Sequence, residues 1–244
     1  MARTHAVSIE IYKRHIRLFR YLNDAWIFTQ LLRPELKHRG NQLRNSDSKS
    51  KRSYPVPKRD RSIMSRRRDA DVGQLFIAQH DRGLFTTNII SVVSRVEAFI
   101  QECLVIAISS QPQKLSIIAK AGIPIDLFLE HENRATLLER FIAMRCQELM
   151  FAKPSDYLAK VSQVLSIEIP DEVINNYIEL KATRDLLVHN QGLINDLYVD
   201  KAGEKARGQI GDELAIDEKY FEEVIVAAKE LSGAIQRETE KKYR

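Results

Sequence analysis

Arg184, Asp185 and His189 stand within the run Glu179-Leu-Lys-Ala-Thr-Arg-Asp-Leu-Leu-Val-His-Asn-Gln-Gly192. A guanidinium, a carboxylate and an imidazole are the groups that could hold a phosphodiester and move a proton on it. Winding Val173 to His189 at about 100° per residue gathers Leu187, Leu180, Val173, Tyr177, Val188, Ile174 and Ile178 onto one arc, with Arg184 in its middle. A guanidinium does not lose its proton, so on a packed face it must be paired, reach out to water, or meet an anion. Asp185 and His189 lie at the edge of the arc and are four residues apart. They are therefore neighbours on one face, and the carboxylate is expected to accept from one imidazole nitrogen, fix its tautomer and favour the protonated ring.

Arg184 and His189 are separated by a rise of roughly 7.5 Å and an angle of roughly 140°, so they flank a groove rather than share a line. Both could touch one phosphate. A single helix supplies one titrating base, whereas two copies face to face supply two histidines and two arginines. The same spacing also suits a core Arg in an ion pair and a His closing the helix.

The run Arg184-Asp-Leu-Leu-Val-His-Asn190, followed by Gly192-Leu-Ile-Asn-Asp196, resembles the Arg, polar residue, spacer, His signature of the HEPN superfamily, and most of all its RiboL-PSP-HEPN branch. The resemblance extends over residues 73 to 240, through an early helix carrying Val96-Glu-Ala-Phe99 and a last amphipathic helix after Gly211-Asp-Glu-Leu214. It implies an all-α helical bundle, commonly dimeric, whose paired motifs form an endoribonuclease site that needs no metal or other cofactor. Arg184 and His189 would be catalytic, with Asp185, Asn190 and Glu97 in support. The implied substrate is RNA, and the implied setting is a toxin or antiviral effector restrained by an antitoxin or regulatory partner. A helical module that binds RNA, nucleotide or protein without cleaving is the other expectation.

These residues need elements to position them. Ile89, Val92, Val93, Val96, Phe99, Ile100, Cys103 and Leu104 repeat at helical spacing between Phe85 and Ile108, and Glu97 falls inside their arc. A buried carboxylate requires a cation, which makes Glu97 the candidate partner of Arg184. Pro170-Asp171 opens the motif helix and Asn190-Gln-Gly192 closes it. Lys201 to Gly211 reads as a basic loop directly after the motif, so Lys201, Lys205 and Arg207 are candidate RNA contacts. Asp217 is placed to cap a final helix carrying Tyr220, Phe221, Val224, Ala228, Leu231 and Ile235. Pro112, Gly122-Ile-Pro124 and Pro154 divide the segment between into short helices, and Arg145 with Glu148 forms a structural pair.

Ahead of this domain, Ile9, Tyr12, Ile16, Phe19, Leu22 and Trp26 predict an amphipathic helix over residues 1 to 35, ending near Arg33 before Pro34. It could dock on the main domain or serve a membrane surface or partner. From Lys37 to Arg68, twelve Lys or Arg face only Asp47 and Asp60, so this stretch carries +10 in a chain of net charge +5. The remainder is −5. Residues 36 to 70 are therefore expected to be a flexible basic linker, with a compact domain over 71 to 240. Its charge density could bind phosphate backbones by counterion release or serve only as a solvated tether, since Tyr54 alone is too little for stacking.

A hydrophobic fraction of 44% is enough for a core in 244 residues. No apolar run is long enough to span a membrane, and charged residues occupy the N-terminus where a signal peptide would be apolar, so a soluble cytoplasmic protein is expected. Cys103 and Cys146 lack ligand spacing and read as buried thiols. His5, His15, His38, His80 and His131 are scattered without Cys or carboxylate partners at ligand spacing, so no metal site is expected. Nucleotide-loop, serine-elbow and zinc-protease motifs are absent.

Overall fold

The helical face between Phe85 and Ile108 becomes the central strut of the molecule. In the computed structural model, which describes residues 2–46, 51–118, 122 and 133–244, helix α3 (Leu84–Ser110) buries Phe85, Ile89, Val92, Val93, Val96, Phe99, Ile100, Cys103, Leu104, Ala107 and Ile108. Against it pack α1 (Ala2–Arg44), α4 (Arg134–Leu149), α5 (Pro154–Leu165), the motif helix α6 (Asp171–His189) and α8 (Glu218–Lys242), while α2 (Asp69–Ala78) packs on α1 and the short α7 (Asp196–Ala202) on α6. A π-turn over Gln79–Gly83 joins α2 to α3. Among the described residues the fold is all-α apart from one antiparallel hairpin, β1 (Lys51–Lys58) and β2 (Arg61–Arg68). His131, Asp47 and the break at Ile123-Pro124 lie outside the described residues.

Helix α1 corrects the sequence expectation twice. It does not end before Pro34 but runs through it to Arg44. Proline removes one helical hydrogen bond, yet tertiary contacts hold both sides of the break. On one side Arg33 pairs with Glu218, donates to the His80 carbonyl at 3.3 Å, and lies over the Phe85 ring at 4.6 Å. On the other, Gly40 meets Gly73 of α2 so closely that a Cβ on Gly73 would lie 2.7 Å from the Gly40 carbonyl oxygen. The buried face of α1 is also rotated from the one expected. Val7, Ile11, Leu18 and Leu22 join the main core, while Ile9, Tyr12 and Phe19 stay exposed. Trp26 stacks on Phe221 of α8 with ring centres 5.8 Å apart, so the N-terminal helix is docked on the main body rather than separate from it.

The basic stretch is likewise not featureless. Residues up to Arg44 continue α1, and residues 51–68 pair from Lys51 with Arg68 to Lys58 with Arg61. The hairpin turns at Arg59-Asp60, with Asp60 at φ 62°. It is tied down at its base, where Arg52 reaches the buried Asp69 at 2.8 Å and Arg68 bonds Asp71 at 3.3 Å.

Lys201, expected to open an exposed loop, instead lies in the last turn of α7, and Gly203–Lys205 form a 3-10 turn after it, while other element expectations match. The motif helix spans Asp171–His189, Asp217 caps α8 by accepting from the Tyr220 amide at 2.8 Å, and Arg145 pairs with Glu148 at 2.6 Å. Cys103 and Cys146 are buried thiols. Burial raises the Cys103 thiol far out of the working range and pushes Cys146 up to about 12, so neither is a nucleophile. Among the described residues no helix is long and apolar enough to cross a membrane, and no group of three His, Cys, Asp or Glu is placed to hold a metal ion.

Candidate functional site

Helix α6 is buried on nearly every side, and its polar residues therefore need internal partners. Glu179 finds four. Its carboxylate accepts from Thr183 at 2.7 Å, from the hydroxyls of Tyr198 and Tyr220 at 3.0 Å each, and from Arg207 Nε at 3.1 Å. This knot fastens α6 to α7, to α8 and to the strand of chain between them, and it fixes the rotation of the helix that carries the motif. Arg207 is thereby placed on the groove between α6 and α8. Its guanidinium also lies 3.2 Å over the Tyr220 ring and donates to the Ala215 carbonyl at 3.0 Å. Arg207, expected from the sequence to contact RNA, is thus tied to Glu179 and lies outside the cleft that holds the motif.

One helical turn further along, Arg184 meets Glu97. Glu97 is 6% exposed, and its two oxygens take Arg184 Nη2 at 2.5 Å and Lys181 Nζ. The pairing of Glu97 with Arg184 is as expected from the sequence. Lys181 was missed there, although its place three residues before Arg184 puts both cations on one side of the helix. The other end of the guanidinium, Nη1, lies 2.9 Å from Asp185, whose second oxygen receives Lys201 Nζ at 3.3 Å. Asp185 is thus shared between two cations, and among the described residues no hydrogen bond joins it to His189. The expected Asp185 to His189 contact is corrected accordingly. Spacing made the contact possible, but Arg184 and Lys201 occupy the two oxygens of the carboxylate.

Lys201 reaches Asp185 because of how the chain turns after the motif. Asn190 donates from Nδ2 to the Leu193 carbonyl, Gln191 has φ 55°, and Gly192 has φ 83°. At Gly192 the backbone angle favours glycine, and a Cβ there would have to move the end of the Arg82 side chain, whose Nη2 would lie 2.5 Å away. Residues 192–194 then pair with 211–214 through Ile194 to Asp212 at 2.9 Å and Leu214 to Gly192 at 2.8 Å. Asn195 caps α7 by accepting from the Tyr198 amide at 2.9 Å. Three residues beyond Tyr198, Lys201 comes back over the motif helix.

The result is a cleft of about 650 Å³ whose walls include Arg184, Asp185, His189, Asn190, Lys201 and Lys153. Arg184 sits at its base over Glu97, and His189 is exposed at the end of α6. Lys153 comes from the turn between α4 and α5, which Pro154 ends by opening α5. Nothing in its local sequence marks it as a site residue. Lys205 is exposed but lines a different groove, of about 710 Å³, between α6 and α8. Of the three basic residues expected to contact RNA, only Lys201 faces the motif. Tyr157 and Tyr177 are buried near Glu97, and burial drives both hydroxyls well above their ordinary range, so neither can act as a base.

Chemically, the cleft offers an exposed imidazole, a guanidinium pre-oriented by a buried carboxylate, and two ammonium groups, Lys153 and Lys201, at its walls. That set suits a phosphate-bearing ligand. Comparison of the chain with protein-family models, with curated proteins and with solved structures gives no match in any of the three.

Proposed function

We propose that this chain is a HEPN-type endoribonuclease that cleaves RNA by attack of a ribose 2′-hydroxyl on the adjacent phosphorus. The observation that carries the reading is that Arg184 and His189 line one cleft while a buried Glu97 holds the guanidinium from below. His189 takes the proton from the 2′-hydroxyl; its exposure leaves a ring nitrogen accessible. The 2′-oxygen then forms its bond to phosphorus, and the bond from phosphorus to the 5′-oxygen breaks. The leaving 5′-oxygen receives a proton from the His189 of a second copy or from water. Arg184 stabilises the charge on the non-bridging oxygens. The products are a 2′,3′-cyclic phosphate and a 5′-hydroxyl, and the step requires neither cofactor nor metal. For a phosphate to reach Arg184 Nη1, Asp185 must let go of it, and Lys201 is positioned to keep the displaced carboxylate. The resemblance further supports a toxin or antiviral effector held silent by a partner protein.

A second reading is a module that binds RNA, nucleotide or protein without cutting. It is favoured by the fact that both terminal nitrogens of Arg184 already have carboxylate partners, Glu97 and Asp185. Incubating the protein with total RNA in excess EDTA, beside a His189→Ala variant, separates the two. The ribonuclease reading expects cyclic-phosphate ends from the unaltered chain and none from the variant. Equal cleavage by both, or by neither, leaves the binding module in its place.

A further inference from the structure

One residue of the cleft is used by neither the fold nor the proposed chemistry. Phe151 lies in the turn between α4 and α5 and is 85% exposed, more than any other large apolar side chain described. Its position is not that of a loose loop tip. The Phe151 amide donates to the Glu148 carbonyl at 3.2 Å, the Ala152 amide to that of Leu149 at 3.0 Å, and Pro154 begins a helix directly afterwards. A backbone held in this way presents the ring to the cleft that Arg184, His189, Lys153 and Lys201 also line. Across the lining, Leu197 on the first turn of α7 is 59% exposed.

A bare aromatic ring beside a group of cations has a specific chemical complement. Four cations, Lys153, Lys181, Arg184 and Lys201, line this cleft against the two carboxylates Glu97 and Asp185, which leaves an excess of two positive charges for an anion. A ligand that brings phosphate to the cations and a planar apolar face to the ring is a nucleotide strand whose bases are unpaired. Duplex bases are stacked on one another and offer no face, and the A-form major groove is too deep and narrow for side chains to read.

We propose that Phe151 is a base-stacking subsite of the cleft, onto which a base next to the phosphate at Arg184 leaves its own stack. The inference rests on the ribonuclease reading and adds to it the residue that holds the base. Phe151 is a positioning residue, since it touches a base and not the reacting atoms.

The test uses the full chain and an uncleavable 2′-O-methyl oligoribonucleotide, with a second strand of equal length that lacks bases. Binding is read by anisotropy, and stacking by quenching of tryptophan fluorescence in a Phe151→Trp variant against the unaltered chain, whose own Trp26 lies against Phe221. Phe151→Ala is expected to weaken the base-bearing strand by about tenfold or more, leave the abasic strand unchanged, and recover in Phe151→Tyr. Phe28→Ala, at a 57% exposed position on α1, is expected to change neither. Quenching of Phe151→Trp by the base-bearing strand alone supports the proposal. Equal loss for both strands, or no loss, overturns it. If Phe151→Ala instead lowers the sedimentation coefficient while binding holds, the ring is a contact between copies and the proposal also falls. Failure of the ribonuclease reading is distinct: stacking without cyclic-phosphate products removes the enzyme and keeps the subsite, whereas unchanged cleavage in Phe151→Ala keeps the enzyme and removes the subsite.

Discussion

Glu97 holds two cations from one helix, and the aim of Arg184 depends on it. With Lys181 8% exposed and Glu97 6% exposed, this is an ion cluster whose members cannot easily be left single. Glu97→Gln keeps the shape and removes the charge. It is expected to lower stability by up to about 3–5 kcal/mol, toward the lower end because Arg184 retains access to water and to Asp185. The urea midpoint measures this, and adding Lys181→Met should restore part of the loss by removing one orphaned cation. Arg184→Lys tests the other half of the pair. One guanidinium bridges Glu97 and Asp185 through different nitrogens, and an ammonium on a shorter stem does not span them. Cleavage is expected to fall to near background with stability changed far less than in Glu97→Gln; retained cleavage would mean that charge alone suffices at this position. The Glu97 to Arg184 pair was readable from sequence because each residue is a charge on an otherwise apolar helical face. The Asp185 partnership was not. Spacing within one helix says which side chains can touch, but Lys201 arrives from another helix and takes the carboxylate.

At the level of elements, α3, α6 and α8 could be read from periodicity and caps, since their signals are local. The end of α1 could not, because a proline is a local veto that long-range contacts overrule here, at Arg33 before it and at Gly40 after it. The hairpin escaped for a related reason: Lys and Arg outnumber every other signal in residues 51–68, and composition of that kind reads as a solvated tether. A lone two-stranded hairpin is marginal in water, and this one is anchored by Arg52 on Asp69 and Arg68 on Asp71. Those two arginines belong to the fold. Lys58, Arg59, Arg61 and Arg66 have no such task and are exposed. Replacing these four by Ser is therefore expected to leave the melting temperature nearly unchanged while weakening RNA binding. The slope of log affinity against log salt should become shallower by up to about 0.7 for each phosphate contact removed. An unchanged slope would make the hairpin a passive arm.

Taken as a whole molecule, the fold alters where a second copy could bind. From the sequence, the apolar arc around Arg184 looked like a face available to a partner. Tyr177, Leu180 and Leu187 are instead consumed by the chain's own core, at 0%, 1% and 9% exposure. What remains uncovered beside His189 is Val188 at 47% and Leu193 at 48%, next to the mouth of the cleft. A dimer that brings two His189 side chains to one phosphate must therefore meet at this rim, not along the helix. The chemistry gives a reason for it, since one imidazole cannot take the proton from the 2′-hydroxyl and at the same moment give one to the 5′-oxygen on the opposite side of the phosphorus. Val188→Asp is the direct test: a carboxylate at a half-exposed position should be tolerated by the fold but not at the centre of a symmetric contact, where it would face its own copy. Sedimentation is expected to show a dimer for the unaltered chain at micromolar concentration and a monomer for Val188→Asp, with circular dichroism unchanged and cleavage lost although Arg184 and His189 are intact. A monomeric unaltered chain that cleaves RNA with first-order dependence on its own concentration would place both proton transfers within one copy, with water as the acid.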